Sequence, residues 1–231
     1  MTYRLHYAPD NASLAIRLAL GVVGVPFRPV LVDRRLGGQT APAYLVLNPN
    51  GLIPVLETPD GPLFETGAIL LWLAERHSGL APPPGKPGRG LVLTWLFWLA
   101  NTLHPAERML FYPDRHIGAH AMPALTARTC ERVAEALDIL EGALPRLAGW
   151  IGAARPSVLD CYLGPLLRWP ALYAPGAAPG WYDLRHWPGL HAAAARLELH
   201  PAAIIAARAE GLGPHPFTAP ALPAPPEGSA T

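Results

Sequence analysis

The sequence predicts an α+β unit with the element order β-α-β-α-β-β-α, followed by an all-α unit. Two observations carry this. Over about the first 79 residues, apolar runs of strand length alternate with helix-length segments, separated by Pro, Gly and Asn. After a stretch rich in Pro and Gly at 81–90, every remaining signal has helical periodicity. The boundaries so drawn are 1–80 for the first unit, 81–90 for a linker, 91–215 for the helical unit and 216–231 for a Pro-rich tail.

Residues 3–7 read as a short buried strand, closed by the turn residues Ala8-Pro9-Asp10-Asn11. A helix from Leu14 to Val23 follows, with Asn11 or Ser13 placed to cap it and Gly24 to end it. Phe27–Val32 is a second strand, at an edge or bulged because of Pro29. Residues 34–41 form a loop, Pro42–Leu47 a short helix, and Asn48-Pro49-Asn50-Gly51 a turn. Ile53–Glu57 and Leu63–Glu65 make a hairpin through Pro59-Asp60-Gly61. The helix Thr66–His77 carries Ile69, Leu70, Trp72 and Leu73 on its apolar side, with Gly79 beyond it. Helices are then predicted over 91–103, 122–147, 158–172, 190–197 and 201–210, and the stretch from Gly213 onward reads as a loosely held tail.

Of 231 residues, 51% are hydrophobic and 15% charged, with a formal net charge of +1. That is material for a core, and without a basic block it argues against nucleic acid and anionic membrane as partners. No apolar run reaches the ~20 residues that span a bilayer, and the N-terminus lacks the pattern of a signal peptide. Cys130 and Cys161 are far apart and imply no disulfide framework, which fits a reducing cytoplasm. The 9 histidines show no metal-ligand spacing, so no metal is expected.

Four motifs carry a resemblance. Asn48-Pro49-Asn50-Gly51-Leu52-Ile53-Pro54-Val55-Leu56 holds a proline at a strand start. Leu63-Phe64-Glu65-Thr66 runs into the helix Gly67-Ala68-Ile69-Leu70-Leu71-Trp72-Leu73-Ala74-Glu75. Pro156-Ser157-Val158-Leu159-Asp160 opens a later helix, and the chain begins Leu5-His6-Tyr7 followed by Ser13-Leu14-Ala15. Together they resemble the bacterial members of the glutathione S-transferase family over residues 3–212. The resemblance implies a thioredoxin-like first domain, a cis bond before Pro54, glutathione as co-substrate, a homodimer, and conjugation to a small hydrophobic electrophile in detoxification. It implies that the Ile53 backbone pairs with the cysteinyl part of glutathione. The Glu65 carboxylate would meet the ligand's amino group, and Thr66 with the helix N–H groups its γ-glutamyl carboxylate. Apart from the resemblance, Thr66 is equally a helix cap. Ser157 and Asp160 have capping-box spacing and are assigned to folding.

A glutathione transferase holds the ligand sulfur as thiolate, for which a hydrogen-bond donor or helix N-terminus lowers a thiol pKa of about 8.5. Three residues offer a donor: Tyr7 at the end of the first strand, Ser13 in the first helical turn, and the Asn11 amide in the loop between. Tyr7 is alternatively a packed aromatic and Ser13 a helix cap. Ala12 stands where the bacterial type has cysteine, and no Cys-x-x-Cys exists, so chemistry on a protein thiol is not expected. His104 resembles a histidine that lies near glutathione in that type, though Pro105 follows it in place of lysine; a histidine interacting with a helix dipole is the other reading. Trp95, Trp98, Met109, Phe111 and Tyr112 are candidates for an apolar pocket or plain core, with Asp114, Arg115 and His116 at its rim. Beside conjugation stand a non-catalytic binding or scaffold protein of the same fold, and a glutathione-dependent reductase or peroxidase.

Overall fold

The computed structural model describes residues 2–230. Four strands form one sheet in the order β2-β1-β3-β4: β1 Tyr3–Tyr7, β2 Phe27–Leu31, β3 Val55–Thr58 and β4 Gly61–Phe64. β1 runs parallel to β2 and antiparallel to β3, and β3 to β4 is the hairpin. Strand residues alternate between two faces. Leu5, Tyr7 and Leu56 enter the main core with α1 (Ser13–Val23) and α3 (Thr66–Arg76). Val55 and Val32 pack with Tyr44 of α2 (Pro42–Leu45) on the opposite face. α1 is buried from Ser13 through Leu20, as befits a helix clamped between the sheet and the helical half. Gly21 is required there, because a Cβ would lie 2.8 Å from the Ala202 methyl.

The helical half comprises α4 (Arg89–Trp98), α5 (His104–Phe111), α6 (Met122–Leu147), α7 (Val158–Arg168), α8 (Pro188–Glu198) and α9 (Pro201–Glu210). All eleven residues of α7 are buried. Its start is held as the spacing implied: the Ser157 hydroxyl accepts from the Leu159 N–H at 3.0 Å, and Asp160 accepts from the N–H groups of Ser157 and Gly152 at 2.8 and 2.7 Å. Burial raises the Asp160 carboxyl to about 6 against those donors.

Three readings are corrected. The helix expected over 91–103 does not stop at His104. It widens into one π-helical stretch, Leu99–Leu103, and continues as α5. Pro105 reads as a terminator because it has no N–H to donate, but the wider turn just before it accommodates that loss. The helix expected over 158–172 ends at Arg168 and tightens into a 3-10 turn, Trp169–Ala171, at Pro170. The tail is not loosely held. Buried Arg168 donates to the carbonyls of Pro216 and Ala221 at 2.9 and 2.7 Å, and Glu198 accepts from the N–H groups of Phe217 and Thr218 at 2.7 Å each. A segment without periodicity is ordered by donors on other elements, which local sequence does not reveal. No helix among the described residues is long and apolar enough to cross a membrane.

Candidate functional site

A cavity of about 460 Å³ opens between the two halves, within the range of small-molecule sites. One wall comes from the sheet half: Asp10, Asn11 and Ala12 at the start of α1, and Gly51, Leu52 and Ile53 ahead of β3. The second segment is pinned from behind. Leu52 O accepts from Asn48 Nδ2 at 2.7 Å and from the Tyr44 hydroxyl at 2.8 Å, while Asn48 Oδ1 accepts from the Asn50 N–H at 3.0 Å. Gly51 supplies the left-handed turn, φ 62°. The Ile53–Pro54 bond is cis, and the paired strand begins only at Val55, so Ile53 stands at the cavity outside the ladder.

The facing wall is made of side chains: His104, Arg108 and Phe111 of α5, Tyr112 after it, and Trp169 and Tyr173 after α7. Its aromatic rings brace one another, with Phe111 6.3 Å from Trp169 and 6.2 Å from Tyr173, centroid to centroid. His104 lies 5.7 Å from both Tyr162 and Trp169, and its Nδ1 is 2.8 Å from the Tyr162 hydroxyl. Burial, with the Arg108 charge second, lowers His104 to about 4, so the imidazole is neutral at neutral pH. The Tyr162 hydroxyl also bonds Thr66 at the start of α3. Thr66, Tyr162 and His104 therefore join that helix start to α7 and α5.

Of the residues expected from sequence, Asn11, Ile53, His104, Phe111, Tyr112 and Arg115 line the cavity. Pro54 is buried behind Ile53. Thr66 is buried and Glu65 exposed at the N-terminus of α3, beside rather than in the main cavity wall. Glu65 holds φ 69° without being glycine, a strained conformation of the kind that clusters at ligand sites. Two thiol-activating candidates are corrected. Ser13 is fully buried and its hydroxyl donates to Ala8 O at 3.1 Å, which closes the turn before α1. Tyr7 points with Leu5 into the core, lies under the Arg17 guanidinium at 4.6 Å, and donates its hydroxyl to Glu227 Oε1 at 2.5 Å. Burial and that carboxylate push its phenol above the ordinary range. No residue of β1 lines the cavity, whose first wall begins at Asp10. Asn11 remains at the site. Its Oδ1 accepts from the Ala12 N–H at 2.8 Å, and its amide nitrogen donates to nothing among the described residues.

Models of the glutathione S-transferase N-terminal domain match residues 1–75, and those of its C-terminal domain residues 123–196. Disulfide-bond oxidoreductase YfcG of Escherichia coli K12 is 32% identical over 166 residues, spanning 68% of this chain and 74% of that protein. The chain belongs to the glutathione S-transferase family. Glutathione S-transferase GstA of Escherichia coli O157:H7 is 30% identical over 172 residues, covering 72% of this chain and 81% of that one. A sphingomonad glutathione S-transferase, solved in complex with glutathione, superposes with a TM-score of 0.73 at 33% identity, over 91% of this chain and all of that chain.

Several lining residues, among them Arg34, Arg108, Trp169 and Tyr173, escaped the sequence reading, and so did Asp10, which is the most connected of them. Asp10, buried with φ 49°, accepts from Arg168 Nε at 2.8 Å, Trp169 Nε1 at 2.9 Å and the Tyr173 hydroxyl at 2.6 Å. Its own N–H donates to Glu210 Oε2 at 2.9 Å, and Glu210 pairs with Arg17 at 2.6 Å. Burial raises Glu210 to about 7 even so. In sequence Asp10 is only a turn residue. The signal was Arg168 at the end of a mainly apolar helix, a buried cation that needs an anion. Trp95 and Trp98, by contrast, pack on each other in a tilted pair, 5.1 Å between centroids, and, with Met109, stay out of the cavity. Among the described residues no three His, Cys, Asp or Glu are grouped to hold a metal ion.

Proposed function

We propose that this protein binds glutathione, stabilises its thiolate at the N-terminus of α1, and transfers the sulfur to an electrophile held against the helical wall. The observation that carries the reading is one cavity bounded on one side by the Ile53 backbone and the Asn11 amide, and on the other by His104 and an aromatic wall. Ile53 offers unladdered backbone to the cysteinyl residue. Glu65 and Thr66 receive the γ-glutamyl end at the α3 N-terminus, where N–H groups and the helix dipole favour a carboxylate. Asn11 donates to the sulfur in place of Ser13 and Tyr7. In this reading residues 1–80 form the glutathione-binding domain and 91–215 the electrophile domain. The protein works as a homodimer in a reducing cytoplasm, in keeping with its unpaired Cys130 and Cys161, and serves detoxification.

A second reading has support in YfcG, which is named a disulfide-bond oxidoreductase. With Ala12 at the α1 start and Cys161 buried in α7, such a reaction would run on the sulfur of glutathione. The thiolate attacks a disulfide, one S–S bond forms as another breaks, and a thiolate leaves.

Calorimetric titration with glutathione tests the site. Native protein binds in the micromolar-to-millimolar range, Glu65→Ala loses that binding, and Asn11→Ala lowers kcat/KM for conjugation by about 10²-fold, as loss of a donor to developing or held negative charge does. No binding by the native protein overturns the enzyme and leaves a scaffold of the same fold.

A further inference from the structure

The helical wall carries positive charge that the glutathione reading leaves without a partner. Arg108 and Arg115 both line the cavity. Neither enters an ion pair among the described residues. Acidic side chains close by do not answer them. Glu107 is fully buried with both carboxyl oxygens unpartnered, so it bonds neither arginine, and burial raises it well above the ordinary carboxyl range. Asp114 is exposed and makes no bridge to Arg115. The one carboxylate in the described lining, Asp10, is already matched by Arg168.

Glutathione itself brings two carboxylates, which the glutathione reading assigns elsewhere. The start of α3 lies beside the cavity for one. Arg34, which rises from the sheet half with Ile53 and bonds the Tyr112 hydroxyl at 3.1 Å, is placed for the other. Arg108 and Arg115 stand on the opposite side, on α5 and the turn after it. The Arg115 guanidinium lies over the Tyr112 ring, 4.6 Å from its centroid, which fixes the fork beside the aromatic surface formed by Phe111, Trp169 and Tyr173. A guanidinium matches a carboxylate with two parallel hydrogen bonds, and its charge counts for more where apolar walls exclude water.

We propose that the electrophile is itself an anion: a planar aromatic or conjugated molecule whose ring lies against Phe111, Trp169 and Tyr173 and whose carboxylate is held by Arg108 and Arg115. This rests on the glutathione reading for its chemistry. For a carboxylated chloronitroarene, the thiolate sulfur forms a bond to the carbon that carries chlorine, the ring takes up the electron pair, and chloride leaves with the pair of the broken C–Cl bond. The carboxylate is unchanged.

The test has a binding arm that needs no glutathione. 3,5-Dinitrobenzoate and 1,3-dinitrobenzene, unreactive and alike in ring, are titrated into the full chain while tryptophan fluorescence is followed. The carboxylate binds at least about tenfold more tightly at low ionic strength, the advantage shrinks with salt, and it falls in Arg115→Gln and in Arg108→Gln. Arg115 is exposed, so its variant folds even if that of Arg108 does not. The kinetic arm compares 4-chloro-3,5-dinitrobenzoate with 1-chloro-2,4-dinitrobenzene, each divided by its uncatalysed rate with glutathione. The native ratio favours the acid and drops by about tenfold in Arg115→Gln. Equal binding of the two dinitro compounds overturns the proposal. So does a loss of glutathione affinity in Arg115→Gln as large as the loss for the dinitrobenzoate, which would give the arginine to glutathione. If glutathione fails to bind while the dinitrobenzoate preference holds, the transferase reading falls and the anion site stands.

Discussion

The cavity has two walls of opposite construction. Around Asn11 and Gly51–Ile53 it presents main chain, kept in place by short-range hydrogen bonds from Asn48 and Tyr44. Across from it, His104, Arg108, Phe111, Tyr112, Trp169 and Tyr173 present side chains, and two of them, Trp169 and Tyr173, are held by Asp10, a residue of the first wall more than 150 positions away in the chain. A backbone wall tolerates change in the side chains around it and suits a ligand that never varies. A side-chain wall is re-cut by single substitutions, which suits a variable second substrate.

The largest effect that breaks the contrast comes from Asp10. Asp10→Ala leaves the guanidinium of Arg168 buried without its anion and frees Trp169 and Tyr173, at a cost of about 3–5 kcal/mol in denaturant-unfolding stability. Asp10→Asn keeps a residue at ease with φ 49° and loses less, so the difference between the two variants measures backbone against charge. An Ala variant as stable as the native protein would remove Asp10 from the assembly of that wall.

Next in size is a pH effect in the side-chain wall. His104 titrates at about 4 in the folded chain against an ordinary 6.5. Between those values the unfolded chain binds the extra proton, so stability falls as pH drops from 6.5 toward 4, by up to roughly 3 kcal/mol. His104→Gln has no such proton to bind, and its unfolding free energy between pH 7 and pH 4.5 falls less steeply by that amount. Parallel pH dependences for variant and native protein would contradict the neutral imidazole.

The smallest expected effect lies in the backbone wall. Asn48→Ala removes one of two donors to Leu52 O and the acceptor for the Asn50 N–H, costing about 1–2 kcal/mol, and weakens glutathione binding by calorimetry more than it alters KM for the electrophile. The reverse pattern would show that the two walls are not independent.

The same contrast explains what was legible in the sequence. The β-α-β-α-β-β-α order, the segment around Ile53, the helix start at Glu65-Thr66 and the capping box at Ser157 and Asp160 all rest on neighbours within a few residues, and all were read from them. His104 was found only through family likeness, and Asp10 was missed, because their partners Tyr162, Arg168 and Trp169 come from distant turns. Tyr7 and Ser13 were placed at the site because position along the chain does not say which side chains near it turn into the core. The tail was misjudged for the same reason: its anchors, Arg168 and Glu198, are elsewhere.

That tail reaches the cavity. Tyr7 holds Glu227, Arg35 donates to Gly228 O at 2.5 Å, Arg34 donates to Ala230 O, and Ala230 is part of the lining. Polypeptide attached beyond this point would start beside the cavity. A purification handle or reporter fused there would crowd the cavity, whereas one placed ahead of exposed Thr2, which is not in the lining, would not.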